Sequence, residues 1–257
     1  MRQLVYVGAL VVFAACASFE AELTDPSADA GSASSTSTST GSVGSSSTST
    51  SGTLASSTST SSGAADFGVF ALVQKKEARG TSPLRIELDN GPPPQSRLVL
   101  AVATGAGAAP TIDGGGWAEV SQTDGASPGL FVYERETPAA RSFIVRANSG
   151  PLVASLSEWT GMSANEGAVK TKGSGSSATV KPIVTKQALV LAFVATTGAS
   201  LPTLGEPTPF KRVVAEASSN VGLGGAAYPA VDGGSVPAVT WTETAPWAAV
   251  AVTFPKQ

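Results

Sequence analysis

The chain contains no histidine and a single cysteine in 257 residues. The first absence removes Ser-His-Asp and Cys-His nucleophilic catalysis, histidine-ligated zinc and histidine acid–base chemistry together. The second removes intrachain disulfides and multi-thiolate metal sites. Charge is also scarce: Asp, Glu, Lys and Arg make up 14% of the residues and leave a net charge of −3. Lys75-Lys76 and Lys211-Arg212 are short basic pairs that read as solvated surface, so no nucleic-acid partner is expected. Asp113-Gly114-Gly115-Gly116 carries no Lys or Thr of a phosphate loop and precedes no helix-like segment. Helical periodicity with caps is missing throughout.

What remains begins at the N-terminus. Met1-Arg2-Gln3 supplies one positive charge, and Leu4 to Ala15 is uncharged and apolar. A run of about a dozen residues is too short to cross a hydrocarbon core of about 30 Å, so residues 1–15 read as a signal peptide. The run ends Phe13-Ala14-Ala15-Cys16. This resembles the lipobox of bacterial lipoproteins, in which the cysteine is acylated and becomes the new N-terminus. The resemblance implies lipidation of Cys16 and a membrane partner through the lipid anchor. Ala17 in place of Asp after the cysteine resembles the sorting pattern for the outer membrane, giving an outer-membrane or cell-surface lipoprotein. Ordinary cleavage after Ala17 is the alternative, since Ala15-Cys16-Ala17 also fits the small-x-small rule. A lone thiol in an oxidising compartment favours lipidation, which removes it.

Between Pro26 and Gly63 the chain is almost wholly Ser, Thr, Gly and Ala, with no charged residue after Asp29 until Asp66. Such a segment has nothing to bury and is expected to stay disordered. Residues 16–65 therefore read as a lipidated start followed by a tether. About 35 flexible residues reach on the order of 30 Å on average and about 110 Å at full extension. Its hydroxyls serve as a plain spacer or carry O-linked sugars.

Residues 66–257 have the periodicity of strands. Leu84-Arg85-Ile86-Glu87-Leu88 alternates, Leu98 to Ala103 is a continuous apolar run, and Phe131-Val132-Tyr133 and Phe143-Ile144-Val145 are aromatic and β-branched. Turn residues bound them, as at Asn90-Gly91-Pro92, Asp113-Gly114-Gly115-Gly116 and Asp232-Gly233-Gly234. The domain also repeats itself at an offset of about 91 to 95 residues: Leu98-Val99-Leu100-Ala101 aligns with Leu189-Val190-Leu191-Ala192, and Pro110-Thr111 with Pro202-Thr203. The expected fold is all-β: a β-sandwich of jelly-roll type built from two related halves with interleaved strands, preceded by the disordered linker. The order of these landmarks, through Glu158-Trp159-Thr160-Gly161 to Trp247-Ala248-Ala249-Val250-Ala251, resembles a β-sandwich module recurrent in secreted bacterial proteins. That jelly-roll or lectin-like module has no established common activity, so the resemblance implies fold and location and carries over no functional residue.

Three kinds of site fit the residue types present. Carboxylate pairs about 5 to 10 Å apart can run glycoside hydrolysis, and Glu134, Glu136 and Glu158 are the candidates. Asp113, Asp232, Asp89 and Asp124 lie in turn contexts where calcium could bind, although Asp-Gly is first a turn signal. No other cofactor is expected. Exposed rings stack on sugars; of Trp117, Trp159, Trp241 and Trp247, the one after the glycine loop, Trp117, is the best placed, while the others read as core. The expected contact residues are thus Trp117, Asp113 and Tyr133. The function that follows is a non-catalytic, lipid-anchored surface module binding glycan or another envelope or extracellular component. A secreted carboxylate-dependent polysaccharide hydrolase and a purely structural envelope protein are the alternatives.

Overall fold

The computed structural model describes residues 66–257 except 124, 126, 137–139, 207, 232–234 and 243–244. The expected signal peptide, Cys16, the Ser/Thr-rich stretch, Asp124 and the expected turn at Asp232-Gly233-Gly234 lie outside the described residues. The described chain is all-β. A first half comprises β1 (Asp66–Phe67), β2 (Phe70–Thr81), β3 (Leu84–Glu87), β4 (Arg97–Thr104), β5 (Thr111–Ile112), β6 (Ala118–Gln122), β7 (Gly129–Glu136), β8 (Ser142–Arg146) and β9 (Pro151–Thr160). A second comprises β10 (Gly167–Gly173), β11 (Ser177–Val180), β12 (Ala188–Thr197), β13 (Thr203–Leu204), β14 (Lys211–Ala217), β15 (Val221–Ala230), β16 (Val239–Thr242) and β17 (Trp247–Pro255).

The duplication is complete at the level of topology. The large sheet of the first half runs β1-β2-β9-β4-β7-β6 and its small sheet β3-β8-β5; the second half runs β10-β17-β12-β15-β14 and β11-β16-β13. Apart from the β1 flap, each order maps onto the other strand for strand. Even the β-bulge recurs, skipping Val120 in β6 and Val213 in β14. Each half is its own jelly roll, so the expected interleaving does not occur: among the described residues no named strand of one half pairs with a strand of the other.

Packing explains the residue pattern. The two large sheets lie face to face over a central core that includes Val99, Leu130, Val153 and Trp159 from one half and Leu191, Phe193, Leu223 and Val250 from the other. Each large sheet is covered on its outer face by its own small sheet. Leu98, Leu100 and Phe131 meet Leu84, Ile86 and Phe143 in the first half, while Val190, Ala192 and Ala226 meet Ala178, Val239 and Trp241 in the second. Four layers result. A strand covered on both faces loses its alternation, which is why β4 and β12 read as continuous apolar runs.

The layers also correct the alignment of the halves. Leu98 faces its small sheet whereas Leu189 faces the central core, so these two do not correspond. The matching residues are Leu98 with Val190 and Thr104 with Thr196. Both threonines are buried opposite a glycine, Gly129 or Gly222, at which a Cβ would come within 2.7 or 2.6 Å of the threonine Oγ1. A slip of one residue sends every side chain to the opposite face, and in an apolar run composition does not reveal it.

Both halves point the same way along their strands. At the proximal end, where the described chain begins, Asp66, Arg97, Glu136 and Thr160 lie together, and beside them the Gln257 N–H donates to the Gly161 carbonyl at 3.0 Å. At the distal end are Thr81, Thr104, Gly129 and Pro151 of the first half. Thr197 and Val221 of the second half join them, with Val221 packed beside Gly105.

Candidate functional site

The loop from Asp113 to Trp117 joins β5 to β6 at the proximal end of the first half. Its start is held by backbone: the Asp113 N–H donates to the Ile144 carbonyl at 2.9 Å, extending the β5–β8 pairing. The Asp113 carboxylate accepts two bonds from Arg146, from Nε at 3.1 Å and Nη2 at 2.9 Å. Both side chains are about half exposed, so the pair contributes about 0 to 1 kcal/mol and mainly fixes orientation. Gly114, Gly115 and Gly116 then take φ of 108°, 61° and 73°, a left-handed path open to glycine.

Beneath those glycines lies Arg135, a residue that no sequence motif singled out. A Cβ on Gly116 would stand 3.4 Å from its Nε, and its guanidinium sits 5.6 Å from the centre of the Phe143 ring. Its signal was available: Arg135 is two residues beyond Tyr133 on β7 and so shares its face. Trp117 packs edge-on against the same Phe143, with ring centres 5.2 Å apart at 79°. Trp117 is half-buried, and neither its Nε1 nor Arg135 Nη1 meets a hydrogen-bond partner among the described residues.

Tyr133 lies deeper than expected. It is 7% exposed and its hydroxyl donates to the Pro110 carbonyl at 3.2 Å. Burial, and secondarily the Glu119 charge, push its phenol well above the ordinary tyrosine range. Of the three expected contact residues, Asp113 and Trp117 therefore bracket one loop, while Tyr133, largely buried, supports the strand leading into it.

The three glutamates do not converge. Glu134 faces the second half and is buried, accepting from Asn165 Nδ2 at 2.7 Å, Asn165 N at 3.2 Å and Arg97 Nη1 at 3.5 Å. Glu136 is exposed at the strand end, 3.8 Å from Arg97 Nη2. Glu158 points to the outer face, fully buried, where Gln74 Nε2 donates to its Oε2 at 2.5 Å. The sheet separates Glu158 from the other two, and Arg97 bridges Glu134 and Glu136. That arrangement provides no acid and base flanking a shared cleft.

The remaining candidates have structural surroundings. Trp159 and Trp241 are core residues, and Trp159 donates to Ser157 Oγ at 2.9 Å. Trp247 is half-buried and packs on Gly173. Asp89 pairs with Lys76 at 2.8 Å. Among the described residues no three His, Cys, Asp or Glu side chains gather as a metal ion would require. Fold and site together define a protein of two jelly rolls stacked back to back, with a glycine loop over an aromatic and guanidinium cluster. No protein-family model matches this chain, and neither the curated proteins nor the solved structures contain a significant match.

Proposed function

We propose that the chain is a lipid-anchored, non-catalytic surface module that binds glycan or another envelope component, carried on Cys16 and its Ser/Thr-rich tether at the outer membrane or cell surface. One observation carries the binding reading: the half-buried indole of Trp117 and the Arg135 guanidinium meet on Phe143 beside three successive glycines. Both side chains keep a buried N–H without a partner among the described residues. An unpaired buried donor costs about 1 to 3 kcal/mol, which an acceptor-rich sugar edge would relieve as the glycine loop shifts. A ring beside polar donors is the usual chemistry of saccharide contact. Asp113, tied to Arg146, and Tyr133, tied to Pro110, hold the loop in place.

The test is a glycan array probed with the full chain and with Trp117→Ala. Binding that falls at least tenfold in the variant supports the loop as the contact; equal binding by both proteins removes it. The anchor is checked separately by metabolic labelling with a radioactive fatty acid. Label is expected in the full chain and absent from Cys16→Ser; a labelled Cys16→Ser protein overturns the lipid site.

A further inference from the structure

The two halves meet along both flanks of their large sheets, and the duplication makes one flank a control for the other. In the first half a row of neighbours crosses the sheet from Arg79 through Val153, Ala103 and Leu130 to Thr123. The corresponding row in the second half runs from Lys172 through Ala248, Ala195 and Leu223 to Glu216. The rows are stacked head to tail, so the cation of each faces the far end of the other.

On one flank this produces a closed electrostatic arrangement. Arg79 Nη1 lies 2.9 Å from Glu216 Oε1 and donates to the Ala217 carbonyl, lining a cleft of about 500 Å³. Glu77 beside it is matched by Lys75 at 3.3 Å. On the other flank Lys172 takes the place of Arg79, Lys170 takes that of Glu77, and Thr123 takes that of Glu216. These residues line a cleft of about 340 Å³ with no acidic side chain in its wall among the described residues. Lys170 donates to the Gln122 carbonyl at 3.0 Å, and at the position of Glu216 stands Thr123, whose hydroxyl accepts from the Leu130 N–H at 3.0 Å and offers Lys172 no carboxylate. Glu119, the nearest acid on β6, is paired opposite Tyr133 and raises its pKa, so its charge acts on the outer face. From Gly167 to Gly205 the sequence contains four lysines and no acid.

We propose that the cleft at Lys170, Thr171, Lys172 and Thr123 is a second binding site, specific for a carboxylate-bearing polysaccharide. The ligand's carboxylate takes the place that Glu216 occupies on the opposite flank. A recess between two sheet edges accepts a chain more readily than a flat bilayer, and Lys172 lies near the distal end, away from Asp66 where a tether would join. The proposal rests on the reading of the domain as a displayed glycan-binding module, but not on the Asp113–Trp117 loop.

The experiment is calorimetric titration of the full chain with an oligogalacturonate, with a neutral oligosaccharide of equal length and with inorganic phosphate. Binding of the oligogalacturonate alone is expected, weakening as salt rises. Lys172→Gln should weaken it about fivefold, the worth of one partly exposed charge contact. Lys172→Glu, which puts a carboxylate where the exposed cation stands, should abolish it while the circular dichroism stays unchanged. Trp117→Ala should leave it intact, so failure here and failure of the loop site are separable. Equal binding of the neutral sugar, competition by phosphate at the same concentration, or indifference to Lys172→Gln overturns the proposal. So does binding that appears only in Asp124→Asn, which would mean the chain's own acid fills the cleft.

Discussion

Tyr133 shows how a residue's role turns on which face of the strand is covered. In the sequence it stands between Val132 and Glu134, where an apolar run gives way to charge, a context equally suited to a ligand contact and to a buried prop. A small sheet lies over that face, so Tyr133 is buried and donates its hydroxyl proton to Pro110. Its phenol keeps the proton to higher pH than it would in the unfolded chain, where the ordinary value is near 10.0. The stability this contributes is whole below about pH 10 and is lost as pH rises through the folded value. Tyr133→Phe should therefore cost about 1 kcal/mol at about pH 7, from the unpaired Pro110 carbonyl, and should flatten the fall in stability above about pH 10. Urea unfolding from neutral to alkaline pH checks both; an alkaline slope identical in the variant would remove Tyr133 as its source. Trp117 lies beside the same cluster, half-buried and edge-on to Phe143.

At the scale of elements, strands and repeat were legible because β-branched runs bounded by turn residues have few other readings. The register was not. Continuous apolar runs carry no face label, so Leu98 matched Leu189 by letter although their faces are opposed. The small sheets hide a second relation: Leu84 stands opposite Val145, and the corresponding pair is Ala178 opposite Trp241. The two pairs divide a similar volume differently, large with medium in one half and small with very large in the other. Ala178→Leu alone should overpack against Trp241 and cost about 1 to 3 kcal/mol, and Trp241→Val alone should open a cavity at comparable or greater cost. Together they reproduce the first half's pair, so the double variant should recover about 1 kcal/mol or more of the summed loss. A double-mutant cycle with additive losses would show that the halves do not pack by the same rule.

For the whole molecule the decisive feature is the central core, which belongs to neither half alone. Leu130, Val132, Val153 and Trp159 are buried on one side by Leu191, Phe193, Leu223 and Val250 of the other jelly roll. Lys75, which donates to the Val213 carbonyl at 2.8 Å, and Arg79 with Glu216 tie the rim. This layer was invisible in the sequence because each half contains a complete set of jelly-roll strands, and nothing in one half marks which face needs the other. Its consequence is that a half made alone would expose a broad apolar sheet, with each large side chain worth about 1.5 to 3 kcal/mol of lost burial. Residues 66–162 expressed alone are expected to self-associate, two copies stacking their large sheets as the two halves do here. The stack would be weaker than the native one, because Arg79 would then face Thr123 of the other copy in place of Glu216. Sedimentation velocity across a concentration series should give a dimer that dissociates on dilution and loses cooperative unfolding as it does so. A monomeric fragment with a sharp melting transition would show instead that one jelly roll is self-sufficient, and that the central core joins two independent folds.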